Sequence, residues 1–131
     1  MAERLKNQGI RIDLFLSSPA KRAITTAIGH AKAFGLPAHK VEQDERLYHA
    51  SSTTIRQLVS STDDRFETIA LFGHNPGLTD LINSLSELDL WNLPTCAVCG
   101  IQFETDSWKN ILNSTGNSFY YDFPKSKTNK P

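Results

Sequence analysis

Between Gly9 and Pro19, apolar Ile10, Ile12, Leu14 and Leu16 alternate with other positions, and Phe15 adds bulk on the opposite face. Alternation with bulk on both faces predicts a strand covered on two sides. After Pro19 the spacing becomes helical. Ala20, Ala23, Ile24, Ala27, Ile28, Ala31 and Phe34 fall on one stripe that stops at Gly35, with Ser18 the expected N-cap and Pro19 the first helical residue. Ahead of this unit, Ala2 to Gln8 reads as a short helix stopped by Gly9.

The same alternation of rhythm returns further on. A short strand is expected around Val41, then a helix over Ser52–Ser60 carried by Ile55, Leu58 and Val59, then a surface loop at "STDDRFE". Glu67 to Gly73 reads as a buried strand. Leu78, Leu81, Ile82 and Leu85 give the following helix, with Asn75 as cap and Pro76 as first residue. The last third differs: "CAVCGIQF" and "SFYYDF" read as antiparallel strands joined by the turn-rich "TDSWKNILNSTGN". The polar residues 124–131 are expected to be a disordered tail, leaving one domain over residues 1–123.

Strand, short loop and helix repeated in this order predict an α/β fold with a mainly parallel sheet, closed on one side by antiparallel strands. Charge then narrows the partners. Fourteen Lys and Arg balance fourteen Asp and Glu, so no global field favours nucleic acid or an anionic membrane, and any anion site must be local. No apolar run is long enough to span a bilayer and no secretory signal opens the chain, so a soluble cytoplasmic protein is expected. Cys96 and Cys99 form a C-x-x-C, but in an extended strand they would point to opposite faces, and no second such pair completes a metal site. No cofactor is expected.

Candidate chemistry sits at two strand-to-helix junctions, "SSPAKR" and "GHNPGL". In an open α/β sheet, parallel strands deliver their C-terminal ends to one rim, where ligands bind. Lys21 and Arg22 fall in the first turn of a helix, where cations are electrostatically misplaced unless an anion joins them. As solvated surface charges they would cost only about a few tenths of a kcal/mol, so alone they decide nothing. Gly73, which permits close backbone approach, and His74, which stands at the crevice, change the balance. An Arg fork beside an imidazole suits a phosphoryl group. Neither junction is a Walker A loop or a G-x-S-x-G elbow.

These residues carry a family resemblance. "SSPAKRAITTA" resembles the second signature of the histidine phosphatase superfamily, and "LFGHNPGLTDLINSL" resembles the second-histidine motif of its SixA-type phosphohistidine phosphatases. "DERLYHAS" and "LPTCAVCGIQFETDSW" are similar to that subgroup's middle segment and antiparallel strand, in the same order. The resemblance implies a three-layer α/β/α, phosphoglycerate mutase-like mixed sheet. It also implies a phosphatase acting on a phosphohistidine-bearing protein, with two in-line transfers: substrate phosphohistidine to enzyme histidine, then to water. Arg22 matches the phosphate-binding Arg, and His74 the second histidine, which contacts the phosphoryl group without being phosphorylated. Gly73 and Asn75 complete the implied phosphate site.

In the family the nucleophile lies in an Arg-His-Gly at the end of the first strand, and this sequence contains no such tripeptide. The resemblance aligns Met1 within the first helix, so the first strand is expected to be missing and activity negligible. His30, His39 and His49 are expected to have surface or packing roles, and Glu45 a structural one. The family's sheet order puts the missing strand between Thr68–Gly73 and Ala97–Phe103. Those strands are therefore expected to close up and pair, or a partner chain is expected to fill the slot, most simply in a homodimer. A non-catalytic phosphate- or phosphoprotein-binding module, or an interaction fragment, is the alternative.

Overall fold

The structure is a computed structural model that describes residues 1–124. The expected tail lies outside the described residues, apart from Pro124. Helix α1 (Ala2–Asn7) leads to strand β1 (Leu14–Ser17) and helix α2 (Lys21–Ala33). Strand β2 (Val41–Gln43), helix α3 (Ser52–Ser60), strand β3 (Ile69–Phe72) and helix α4 (Gly77–Leu85) follow. Strands β4 (Val98–Gln102) and β5 (Asn117–Asp122) close the chain, linked through a 3-10 segment at Trp108–Asn113.

Strands β2, β1 and β3 form a parallel sheet in that order, with Phe15 opposite both Val41 and Ala70. The period-two alternation sorts side chains between two helical layers. Phe15, Ala70 and Phe72 pack with Ala27 and Ala31 of α2 on one face. Leu14, Leu16, Ile69 and Leu71 pack with residues of α3 and α4, such as Ile55, Leu58 and Leu81, on the other. The alanines on the α2 stripe let that helix sit close to the sheet, and Ala27 and Ala31 are fully buried. Ser51 caps α3 by accepting the Thr54 N–H, leaving Ile55, Leu58 and Val59 inward as their spacing predicts.

Five expectations are corrected. The first strand begins at Leu14 rather than Ile10, because pairing with the β3 side starts only where the Asp13 N–H meets the Thr68 carbonyl. The Asp13 carboxylate also accepts the Glu67 and Thr68 N–H groups, fixing that start. Helix α2 begins at Lys21 with Ala20 as its cap, so Ser18 is not the N-cap and Pro19 is not helical, although Ser18 Oγ still accepts the Ala20 N–H. Helix α4 begins at Gly77 with Pro76 in the cap position, which displaces Asn75 from that role. Cys96 lies before β4 with a left-handed φ of 62°, so only Cys99 belongs to the strand.

The fifth correction concerns the sheet, which is not one mixed sheet. Strands β4 and β5 make a separate antiparallel ribbon, and β3 and β4 do not pair with one another among the described residues. The ribbon is tied to helices instead. The Gly116 N–H donates to the Leu85 carbonyl at the end of α4, and Arg4 of α1 pairs with Asp122 at 3.0 Å. The expected closing-up is therefore not seen among the described residues. Strand β3 is thereby an edge, and its four apolar residues are only half-buried.

Candidate functional site

The last register pair of β1 and β3 is Ser17 with Phe72, so both chains leave the sheet side by side. The Ser18 N–H still donates to the Phe72 carbonyl at 2.9 Å, holding the exits together. One residue further on, His74 Nε2 and Ser18 Oγ are 2.8 Å apart, within a hydrogen bond whose donor depends on the imidazole tautomer. Ser18 is fully buried, which makes it a rigid anchor for the ring. Loop residues after β2 join the same rim, where the Asp44 N–H donates to the Ser17 carbonyl. All three parallel strands therefore deliver their C-terminal ends to one place, as the topology requires.

The electrostatics there are cationic. Helix α2 opens with exposed Lys21 and Arg22 and has no acidic residue in its first turn. The His74 pKa is lowered from its ordinary value, first by partial burial, then by the neighbouring His49 and by the Arg22 guanidinium. The Arg22 guanidinium thus bears on His74, and an oxyanion between them would relieve that repulsion. First-turn N–H groups of α2 add to the attraction for an anion, since they have no intrahelical acceptor, whereas in α4 the Leu78 and Asp80 N–H groups donate to the His74 and Pro76 carbonyls.

The other expected residues are placed differently. Asn75 donates through Nδ2 to the Leu93 carbonyl at 2.9 Å and accepts from the Thr79 hydroxyl at 2.8 Å. Its side chain therefore staples the 90s loop to α4 instead of facing the rim; the Asn75–Pro76 peptide is cis. At Gly73 an added Cβ would make only ordinary contact with Leu78, 3.7 Å away, so nothing within the protein demands glycine there. Gly77 is the constrained one. A Cβ at that position would overlap the Ala50 carbonyl oxygen.

That close approach seats the Tyr48–Ala50 segment against the start of α4 and brings in His49, which sequence reasoning assigned to the surface or to packing. The His49 and His74 rings are 5.3 Å apart, Tyr48 and His49 4.2 Å, and Tyr48 and His74 5.7 Å, closing a ring triad. Nothing in the spacing of "DERLYHAS" signals this, because the approach depends on Gly77, 28 residues beyond His49. His30 matches its expected packing role, with Nδ1 at the Thr26 carbonyl and its ring on Phe72. His39 is exposed, as its expected surface role requires.

Parallel strands with helices on both faces define an α/β protein, with Lys21, Arg22 and Glu45 exposed where the strands end. Its fold is SixA-like. Over 95% of this chain and 78% of that one, it is similar to the "putative phosphohistidine phosphatase SixA" of Nakamurella multipartitia, with a TM-score of 0.72 at 15% identity. It is also similar to the protein of the same description from Agrobacterium tumefaciens, over 64% of this chain with a TM-score of 0.57 at 27% identity. The matched region spans about half, 52%, of that second protein's length. No protein-family model matches the chain, and no curated protein matches it. The resemblance drawn from the two motifs is thus met by structural similarity at low sequence identity.

Proposed function

We propose that this chain carries the phosphoryl-binding part of a SixA-type phosphohistidine phosphatase, with a phosphohistidine-bearing protein as its partner. The observation that carries the reading is the 2.8 Å link between His74 Nε2 and buried Ser18, formed beside the Arg22 charge where β1 and β3 exit together. A phosphoryl group at this rim meets the Arg22 guanidinium, the His74 ring and helix N-terminal N–H groups. Such donors hold the equatorial oxygens and stabilise charge as a phosphorus–nitrogen bond breaks. In this reading His74 binds and does not become phosphorylated, and the 131 residues contain no Arg-His-Gly to supply the nucleophile.

Tungstate or inorganic phosphate should therefore raise the melting temperature of the protein, and Arg22→Ala and His74→Ala should each abolish the rise. The 131 residues alone should release phosphate from a phosphohistidine protein many powers of ten more slowly than a complete phosphatase. An unchanged thermal response in both variants would remove the phosphoryl site from this rim.

A second reading, an interaction module, is favoured by the half-buried β3 and its unpaired edge. Such an edge offers backbone donors and acceptors to another strand, most simply in a homodimer. Sedimentation over a hundredfold range of concentration separates the two: a stable monomer that binds tungstate supports the first reading alone.

A further inference from the structure

The phosphoryl group is one end of a phosphohistidine, and the flat imidazole that leaves with the substrate is the other. We propose that Tyr48 and His49 form the subsite for that ring; the inference rests on the phosphoryl-site reading above. Tyr48 is 53% exposed and His49 is exposed, so neither ring is spent on the core. Yet both stand in fixed array beside His74, at centroid separations of 5.7 Å and 5.3 Å. An aromatic shelf at that distance places a stacked ring next to a phosphoryl group held by His74 and Arg22.

Two further observations point the same way. His49 has φ 51°, a left-handed conformation that L side chains rarely adopt. Packing of the Ala50 carbonyl on Gly77, with the Ser51 cap one residue later, holds that strain in place. Strain sustained by its surroundings is concentrated at functional sites. Beside the shelf lies an open cleft of about 440 Å³ lined by Pro19, Ala20, Glu45 and Tyr48. Pro19, Ala20 and Tyr48 are apolar or aromatic, and Glu45 brings a carboxyl group. That combination suits a ring bearing an N–H, and the volume accommodates an imidazole with its peptide flank.

The test is the ratio of affinities for phosphoimidazole and inorganic phosphate, measured by calorimetry. For the wild type, phosphoimidazole should bind about tenfold more tightly. In Tyr48→Ala and His49→Gly the ratio should fall towards one. The glycine accepts the left-handed backbone, so only the ring is lost. Tyr48→Phe, which keeps the flat face, should restore the preference. A ratio that stays near ten in the Tyr48→Ala/His49→Gly double variant overturns the subsite, as does a wild-type ratio of one. Wild-type protein that binds neither probe overturns the phosphoryl-site reading itself, and the subsite with it.

Discussion

Strands β1 and β3 lie side by side in register, are four residues long, and carry similar apolar runs, Leu-Phe-Leu-Ser and Ile-Ala-Leu-Phe. Every residue of β1 is buried, whereas every residue of β3 is half-exposed. The difference lies in their neighbours. Strand β1 pairs on both edges and β3 on one, and the ribbon that stands beyond it is held by α1 and α4. Both strands lead to the candidate site: Ser18 directly follows the buried strand, and His74 lies two residues beyond the half-buried one. The 2.8 Å contact between them joins the exits of the two strands.

The contrast is broken most directly by truncating one aromatic on each strand. Phe15 is 1% exposed and stacks on Phe72 at 6.3 Å, so Phe15→Ala should cost about 3–5 kcal/mol in urea unfolding. Phe72→Ala, on the half-buried strand, should cost about half as much. Equal losses would show that β3 is as enclosed in solution as β1. Next in size is Gly77→Ala, where the new Cβ overlaps the Ala50 backbone; a loss of about 1–3 kcal/mol is expected, together with displacement of His49 from His74. Nuclear magnetic resonance of the histidine ring protons reads the displacement, and an unmoved His49 would detach the shelf from α4.

A pH titration sharpens the contrast at His74. Its pKa is lowered in the folded protein, so the folded state holds fewer protons than the unfolded one below about pH 6.5. The stability it contributes is full above that value and is lost as pH falls through the folded pKa. Half-buried His30, also lowered chiefly by burial, adds a loss of the same sign. Sulfate, which remains a dianion throughout, should bind more tightly as pH falls, because it favours the imidazolium. The gain is up to about tenfold for each pKa unit that the anion restores. Affinity independent of pH would place sulfate away from His74. The smallest effect belongs to Gly73→Ala, within about 0.5 kcal/mol, since its Cβ meets only Leu78 at 3.7 Å.

That Arg22 and His74 lie at strand-to-helix junctions was legible because such junctions can be read from rhythm: a run of period two, a small polar residue, a proline, then a stripe of period 3.6. The motif around each supplied the chemistry. Asn75 misled because an Asn before Pro looks like a cap, whereas its amide accepts from the Thr79 hydroxyl and donates to the Leu93 carbonyl, 18 residues away. His49 escaped because its neighbours in space, His74 and Gly77, are far from it in sequence.

Element order, the alternation that divides Phe15 from Leu14 and Leu16, the alanine stripe of α2 and the positions of both junctions were determined by the sequence. Each depends on backbone geometry over a few residues, so local spacing suffices. Tertiary structure alone decided that β3 is an edge, that β4 and β5 stand apart from it, and that His49 turns left-handed against His74. Those outcomes depend on which distant groups meet: the Ala50 carbonyl on Gly77, Arg4 on Asp122, and Gly116 on Leu85. A periodic pattern shows which face of an element is apolar. What covers that face is decided by the packing of the whole chain.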